Sequence, residues 1–208
     1  MSENELRAET ARQRAETAQF LAGLDEADWD APTLCAGWRV REVAAHLSMP
    51  YRTSLPRFVL GMIAARGNFD RLADRVARAD AARLSSAELV AAIADNTEHP
   101  WKPPGGGFAG ALSHDVIHGL DITVAFGHAD PVPLDRMRMV LDALNPRSVQ
   151  YFGVDLTGIA LRADDLDFRF GDGEVLSGRA QDLLLVLCGR KLPPGRLHGD
   201  RAARFTGH

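Results

Sequence analysis

From Phe108 to Phe126 the chain contains no proline, and Leu112, Val116, Ile117, Leu120, Val124 and Phe126 spread apolar side chains almost all the way round a helix. A helix that is apolar on nearly every face is surrounded by protein, so the rest of the chain has to fold around this one. Against that background His114, His118 and Asp121 fall within an arc of about 60° when the segment is wound at 100° per residue. Ionisable groups on a buried helix are costly unless they are paired or hydrogen-bonded. The stripe is therefore expected to face a bundle interior or a cleft.

The flanking segments read as partners for this helix. Glu3 to Leu24 is rich in helix formers, with Ala8, Ala11, Ala15, Ala18 and Ala22 at three- and four-residue spacings. Asp25 to Trp38, with Pro32 and Gly37, reads as a loop. Arg39 to Leu47 places Val40, Val43, Ala44 and Leu47 on one face with His46 at its edge, and Pro50 and Pro56 are expected to interrupt or kink the helix beyond Leu47. Ser85 and Glu88 form a capping-box pattern for a helix to about Asn96, and Pro103 to Gly107 reads as a connector. A further helix is expected from Leu134 to Leu144. After Asn145-Pro146 the period changes to two: Leu166, Phe168 and Phe170 alternate with Asp165, Asp167 and Arg169. Strands are expected there, at Thr157 to Arg162 and near Glu174 to Leu176, with Gly171-Asp172-Gly173 turning the chain between the last two. A Leu-rich helix from Arg179 to Arg190 closes the pattern, with Gly189 at its end. The expected class is α+β: a helical bundle over residues 1–148 and a small strand-and-helix domain over 149–208.

The 24 Lys and Arg against 28 Asp and Glu, a net charge of -4 and a pI near 6.0 argue against a nucleic-acid binder, which carries a basic face. Trp29, Trp38 and Trp101 are too scattered for a base-stacking platform and read as core or loop anchors. The N-terminus lacks the basic start and apolar centre of a secretory signal. The longest apolar run, Phe58 to Ala65, falls far short of the about 20 residues that cross a bilayer. A cytoplasmic protein without membrane or nucleic-acid partners, monomeric or homodimeric, is the expectation.

Two imidazoles at i and i+4 reach the same point off a helix face and suit a divalent cation. Seven histidines in 208 residues produce about 0.2 such pairs by chance, so a third ligand is required. His46 is the candidate, because it borders the face where a neighbouring helix packs. Three neutral nitrogens would leave an open position on the cation, as catalytic sites do. The alternative is that the histidines are hydrogen-bonded to Asp115 or Asp121 without metal. Asp121 either orients an imidazole or contacts a cofactor, or makes a structural hydrogen bond. Cys35, in the loop, reads as a small buried thiol and Cys188 as core. His99, His128, His198 and His208 read as surface, loop or tail residues.

The stretch Trp29-x-x-Pro32-Thr33-x-Cys35-x-Gly37-Trp38-x-Val40-Arg41-x-Val43-x-x-His46-Leu47 resembles the N-terminal signature of the mycothiol-dependent maleylpyruvate isomerase family, part of the DinB-like metalloenzyme superfamily. His114-x-x-x-His118-x-x-Asp121 resembles its second signature. Gly178-x-Ala180-x-x-Leu183-Leu184-Leu185-x-Leu187-x-Gly189-Arg190 resembles the end of its C-terminal domain. The resemblance implies a DinB-like four-helix bundle that holds a divalent metal, zinc or nickel, through His46, His114 and His118, with mycothiol as the thiol cosubstrate. At the position of His114 isomerase-type members often carry Glu, and the all-histidine set here is similar to the wider group that includes thiol transferases. The implied activity is a metal- and thiol-dependent transferase or isomerase acting on a small electrophile. The alternatives are a non-catalytic metal- or ligand-binding protein of the same fold and a metal-assisted hydrolase. By the same resemblance Arg190 faces the cleft and binds a substrate carboxylate, its other reading being a cation at a helix C-terminus.

Overall fold

The computed structural model of the chain describes residues 2–128, 131–144 and 146–207. Contacts divide the chain into two compact units, Ser2–Ile122 and Thr123–His208. The change in hydrophobic period was expected to mark a division at 148/149; the second unit also takes in the two helices that precede the strands.

The first unit is helical: α1 (Glu3–Ala22), α2 (Val40–Arg52), α3 (Leu55–Ala64), α4 (Phe69–Arg83), α5 (Ser86–Ala94) and α6 (Gly107–Thr123). The local signals explain the boundaries. Ser2 and Glu5 close a capping box on α1, and Ser85 and Glu88 do the same for α5. Asn68 caps α4 by accepting from the Arg71 N–H at 2.8 Å. The loop expected after α1 contains a 3-10 turn, Glu26–Asp30, that buries Trp29. Helix α2 packs on α4 and α5, and α1 on α5.

The helix expected to be interrupted or kinked at Pro50 and Pro56 runs through Pro50 to Arg52, and Pro56 falls in the first turn of α3. Pro50 cannot donate the usual bond to the His46 carbonyl, and Arg52 compensates from the C-terminal end, donating to the Ser48 hydroxyl and the Ala45 carbonyl at 3.0 Å. On α1, Ala8, Ala15 and Ala22 of the expected alanine stripe are exposed, and the buried face consists of Thr10, Gln13, Arg14 and Thr17 beside Ala11, Ala18 and Leu21. The polar residues point inward because α1 faces the ionisable helix α6. Helices α3 and α4 had no sequence expectation beyond the Phe58–Ala65 run; α4 buries Leu72, Ala73, Ala77 and Ala81, a stripe with helical spacing.

The second unit contains α7 (Leu134–Ala143), α8 (Pro146–Phe152), β1 (Ile159–Ala163), β2 (Arg169–Phe170), β3 (Glu174–Gly178), α9 (Ala180–Leu187) and β4 (Leu197–His198). The sheet order is β2-β1-β3-β4, with β1 antiparallel to β2 and parallel to β3. The strand expected over Leu166 to Phe170 is cut to two residues, because the Phe168 N–H turns back to the Leu166 carbonyl at 2.8 Å. The glycine turn does not join paired strands: β1 lies between β2 and β3. At Gly173, with φ +130°, a Cβ would stand 2.3 Å from the Gly158 carbonyl, so only glycine lets this turn pass the start of β1. Helix α9 has Leu183 to Leu187 fully buried, with Gln181 and Asp182 buried in its first turn, and Gly189, with φ +76°, turns the chain just past its end. His198 belongs to β4, paired with Ser177, and not to a loop. His208 lies outside the described residues. Among the described residues no helix is long and apolar enough to cross a membrane.

Gly119 sets the spacing of α1 and α6, because a Cβ there would stand 3.1 Å from Gln13 Nε2 and 3.3 Å from Thr17 Oγ1. Gly119→Val is expected to overpack this contact and cost about 1–3 kcal/mol. A lower urea midpoint would show it, and an unchanged midpoint would contradict the packing.

Candidate metal centre

Three imidazoles converge in the first unit. His46 is carried by α2, and His114 and His118 lie one turn apart on α6. His114 Nε2 stands 3.1 Å from His46 Nε2, and one ring nitrogen from each of the three lies within 4.8 Å of the others. The ring centroids are 4.8–5.0 Å apart. His46 is buried, and His114 and His118 are nearly so.

Two buried carboxylates fix the orientation of the α6 histidines. Asp115 accepts from His114 Nδ1 at 2.8 Å, and Asp121 accepts from His118 Nδ1 at 3.0 Å. An ionised carboxylate only accepts, so Nδ1 is the donor in each pair, and in the neutral ring that tautomer leaves the lone pair on Nε2. Asp115 is paired with Arg14 of α1, whose Nε donates to its other oxygen at 2.7 Å; both side chains are 3% exposed. The same guanidinium donates to the Thr97 and His99 carbonyls at 3.0 and 2.8 Å and lies 5.2 Å from the centre of the Tyr51 ring. Burial, and after it the Asp115 charge, push the Tyr51 hydroxyl well above its ordinary pKa, so it stays protonated.

Aromatic rings line the cluster. Trp38 stands 5.0 Å from His46 and 6.3 Å from His118, and Trp101 stands 5.2 Å from His114. Trp38 is anchored by its indole N–H to Asp74 at 2.8 Å, and the Trp101 backbone N–H donates to His99 Nδ1 at 3.2 Å. Burial and the nearby Arg14 lower the His99 pKa and favour the neutral, accepting ring. His99 is thus a half-buried member of the Arg14 network, where a surface residue was expected. Trp38 and Trp101 are walls of the histidine cluster as well as loop anchors. Cys35 is half-buried, with its sulfur within 4.8 Å of ligand atoms of His118 and Asp121, and the Leu34 N–H donates to the Asp121 carbonyl at 3.0 Å.

The sequence pointed to His46, His114, His118 and Asp121, and the fold brings all four together. Arg14 was missed: it sits in an alanine-rich helix, and only its partner, Asp115 immediately after His114, carried any signal. Arg190 belongs to the second unit, where its Nη1 donates to the Cys188 carbonyl at 2.7 Å at the end of α9 and the guanidinium stands 5.9 Å from the Phe152 ring.

The donor set fits a divalent cation. Two Nε2 lone pairs, bared by the carboxylates behind them, meet a third imidazole at the cluster, and carboxylate–histidine pairs of this kind orient metal ligands. Fold and cluster together define the class, an α+β protein with a histidine cluster inside its helical unit. The chain belongs to the mycothiol maleylpyruvate isomerase N-terminal domain family, whose profile matches residues 10–122, more than half of its length. Two solved structures share the fold: crystal structures of the mycothiol-dependent maleylpyruvate isomerase and of a histidine-to-alanine mutant of it. They have TM-scores of 0.51 and 0.52, each with 15% sequence identity, covering 97% of this chain and 94% of theirs. No curated protein matches the chain.

Asp115→Asn would strand the Arg14 charge in the interior and is expected to destabilise the protein by about 3–5 kcal/mol. Replacing both partners, Arg14→Met with Asp115→Asn, is expected to restore most of that loss. A double-mutant cycle by urea denaturation measures the coupling, and additive losses would contradict the pairing.

Proposed function

We propose that the protein is a metal- and thiol-dependent isomerase or transferase of small electrophiles, with mycothiol as the thiol and maleylpyruvate as the substrate to test first. The convergence of three imidazoles, two of them backed by buried carboxylates, carries this reading in a chain that belongs to the family. His46, His114 and His118 would hold the divalent cation, and zinc and nickel both suit three imidazoles. A cation bound there supplies the positive charge that lowers a thiol's pKa, so that the thiol can serve at neutral pH as a nucleophile for an electrophilic carbon.

The rest of the work belongs to the chain's own residues. Asp115 and Asp121 engage the Nδ1 atoms, which holds the His114 and His118 rings at fixed angles. Arg14 holds Asp115 in place without reaching the three cluster histidines itself. Trp38 and Trp101 cover the rings with apolar surface, which limits water and strengthens electrostatic interactions inside. Asp121 is assigned the positioning of His118. Arg190 is assigned a substrate carboxylate, on the strength of the family motif.

Metal-loaded protein given mycothiol and maleylpyruvate is expected to convert the cis substrate to its trans isomer, with no turnover when the thiol is left out. His118→Ala should lose both metal and turnover. Asp121→Asn should weaken metal affinity by about 10–100-fold, measured by competition with a chelator. A product that retains sulfur would mark a transferase; turnover without thiol would overturn the reading in favour of hydrolysis, and binding without turnover in favour of a sensor.

A further inference from the structure

A second concavity lies within the same helical unit. A pocket of about 350 Å³ opens between α2, α3 and α4, and it shares no residue with the histidine cluster. Its apolar lining comes from Met49 of α2, Phe58 of α3, Leu72 and Val76 of α4, and Leu84. The volume lies at the lower end of the range for small-molecule sites. Helix α3 crosses α4 closely at this point, because Gly61 leaves room for Leu72: a Cβ there would stand 2.6 Å from Leu72 Cδ1.

The charged lining is one-sided. Arg52, Arg57, Arg75 and Arg83 line the pocket together with a single carboxylate, Asp80, so its lining carries an excess of three positive charges, those of Arg57, Arg75 and Arg83 standing at its exposed rim. Asp80 is saturated, holding Arg52 with one oxygen at 2.8 Å and Arg83 with the other at 2.9 Å. Arg75 donates only to the Gly61 carbonyl, at 3.3 Å, and among the described residues Arg57 meets no acceptor. Cations gathered in an apolar concavity focus a positive potential and favour an anion. The chain as a whole is acidic, at -4, so the charge here is local and not a general basic surface. The other side of α3, where Leu55 and Ile63 are 73% and 69% exposed, turns away from the pocket and is not part of it.

We propose that this pocket is a ligand site separate from the histidine cluster and that it takes a small organic anion. The apolar body would lie on Phe58, Leu72 and Val76, and the acidic head group, a carboxylate or a phosphate, would be held by Arg57 and Arg75. A guanidinium offers a planar fork of donors that matches either head group in two-point fashion.

The full-length protein is titrated with 8-anilinonaphthalene-1-sulfonate, a fluorescent anion with an apolar body. One saturable site is expected, weakened about tenfold by each of Arg57→Glu and Arg75→Glu and blocked by Val76→Trp, which fills the pocket. His118→Ala is expected to bind the probe as the unsubstituted protein does, which separates this site from the histidine cluster. Octanoate and octyl phosphate are then used as competitors; displacement by one of them in preference identifies the head group. The proposal is overturned if no saturable binding occurs, if the Arg57→Glu/Arg75→Glu protein binds the probe equally well, or if inorganic phosphate displaces it as effectively as the octyl compounds.

Discussion

The buried ion pair between Arg14 and Asp115 is the contact on which the helical unit and its cluster both depend. A buried carboxylate is costly unless it is paired. Arg14 supplies that partner at 2.7 Å. The other oxygen of Asp115 meets His114 Nδ1, whose ring turns its Nε2 to His46, and α6 is thereby tied to α2 as well as to α1. Arg14 Nη1 donates to both the Thr97 and the His99 carbonyl, which fixes the chain between α5 and α6. That segment carries Trp101 onto His114. A single guanidinium therefore connects the inner polar face of α1 to the geometry of the histidines.

The second carboxylate, Asp121, likewise lies on the same helix as the histidine it orients. Its backbone carbonyl is bound by Leu34, so the loop that contains Cys35 and Gly37 is pinned to α6. Gly37, with φ +78°, turns this loop so that Trp38 comes over His46 and its indole reaches Asp74 of α4. The loop signature is thus a device for placing one aromatic wall.

Much of the bundle and the cluster was legible in the sequence, and the failures have physical causes. The period of α6 exposed its ionisable stripe, and the i,i+4 spacing of His114 and His118 survives folding because a helix fixes it. The capping box at Ser85 and the glycine at 189 ended helices where expected, since these signals act locally. The inward face of α1 was misread because alanine spacing reports propensity, whereas Arg14 is buried to meet Asp115 far along the chain, and Gln13 and Thr17, bonded to each other, pack at Gly119. Pro50 misled for a similar reason: Arg52 supports the helix end through its side chain, which no local rule anticipates. The sheet order could not be read at all, because alternation shows that a strand forms and says nothing of its neighbour. The basic pocket was invisible, because its arginines lie on three separate helices.

The central proposal is that three imidazoles, two of them oriented by buried carboxylates, form a divalent metal centre with room for a further ligand. Cobalt(II) substitution tests it most directly, since the intensity of its visible bands reports the coordination number and a thiolate adds a charge-transfer band. The account predicts one cobalt per chain with the intense spectrum of a four-coordinate site, loss of that spectrum in His46→Ala, and a new sulfur-to-metal band when a small thiol is added. A protein that takes up no cobalt, or one whose spectrum is unchanged by His46→Ala, would contradict it.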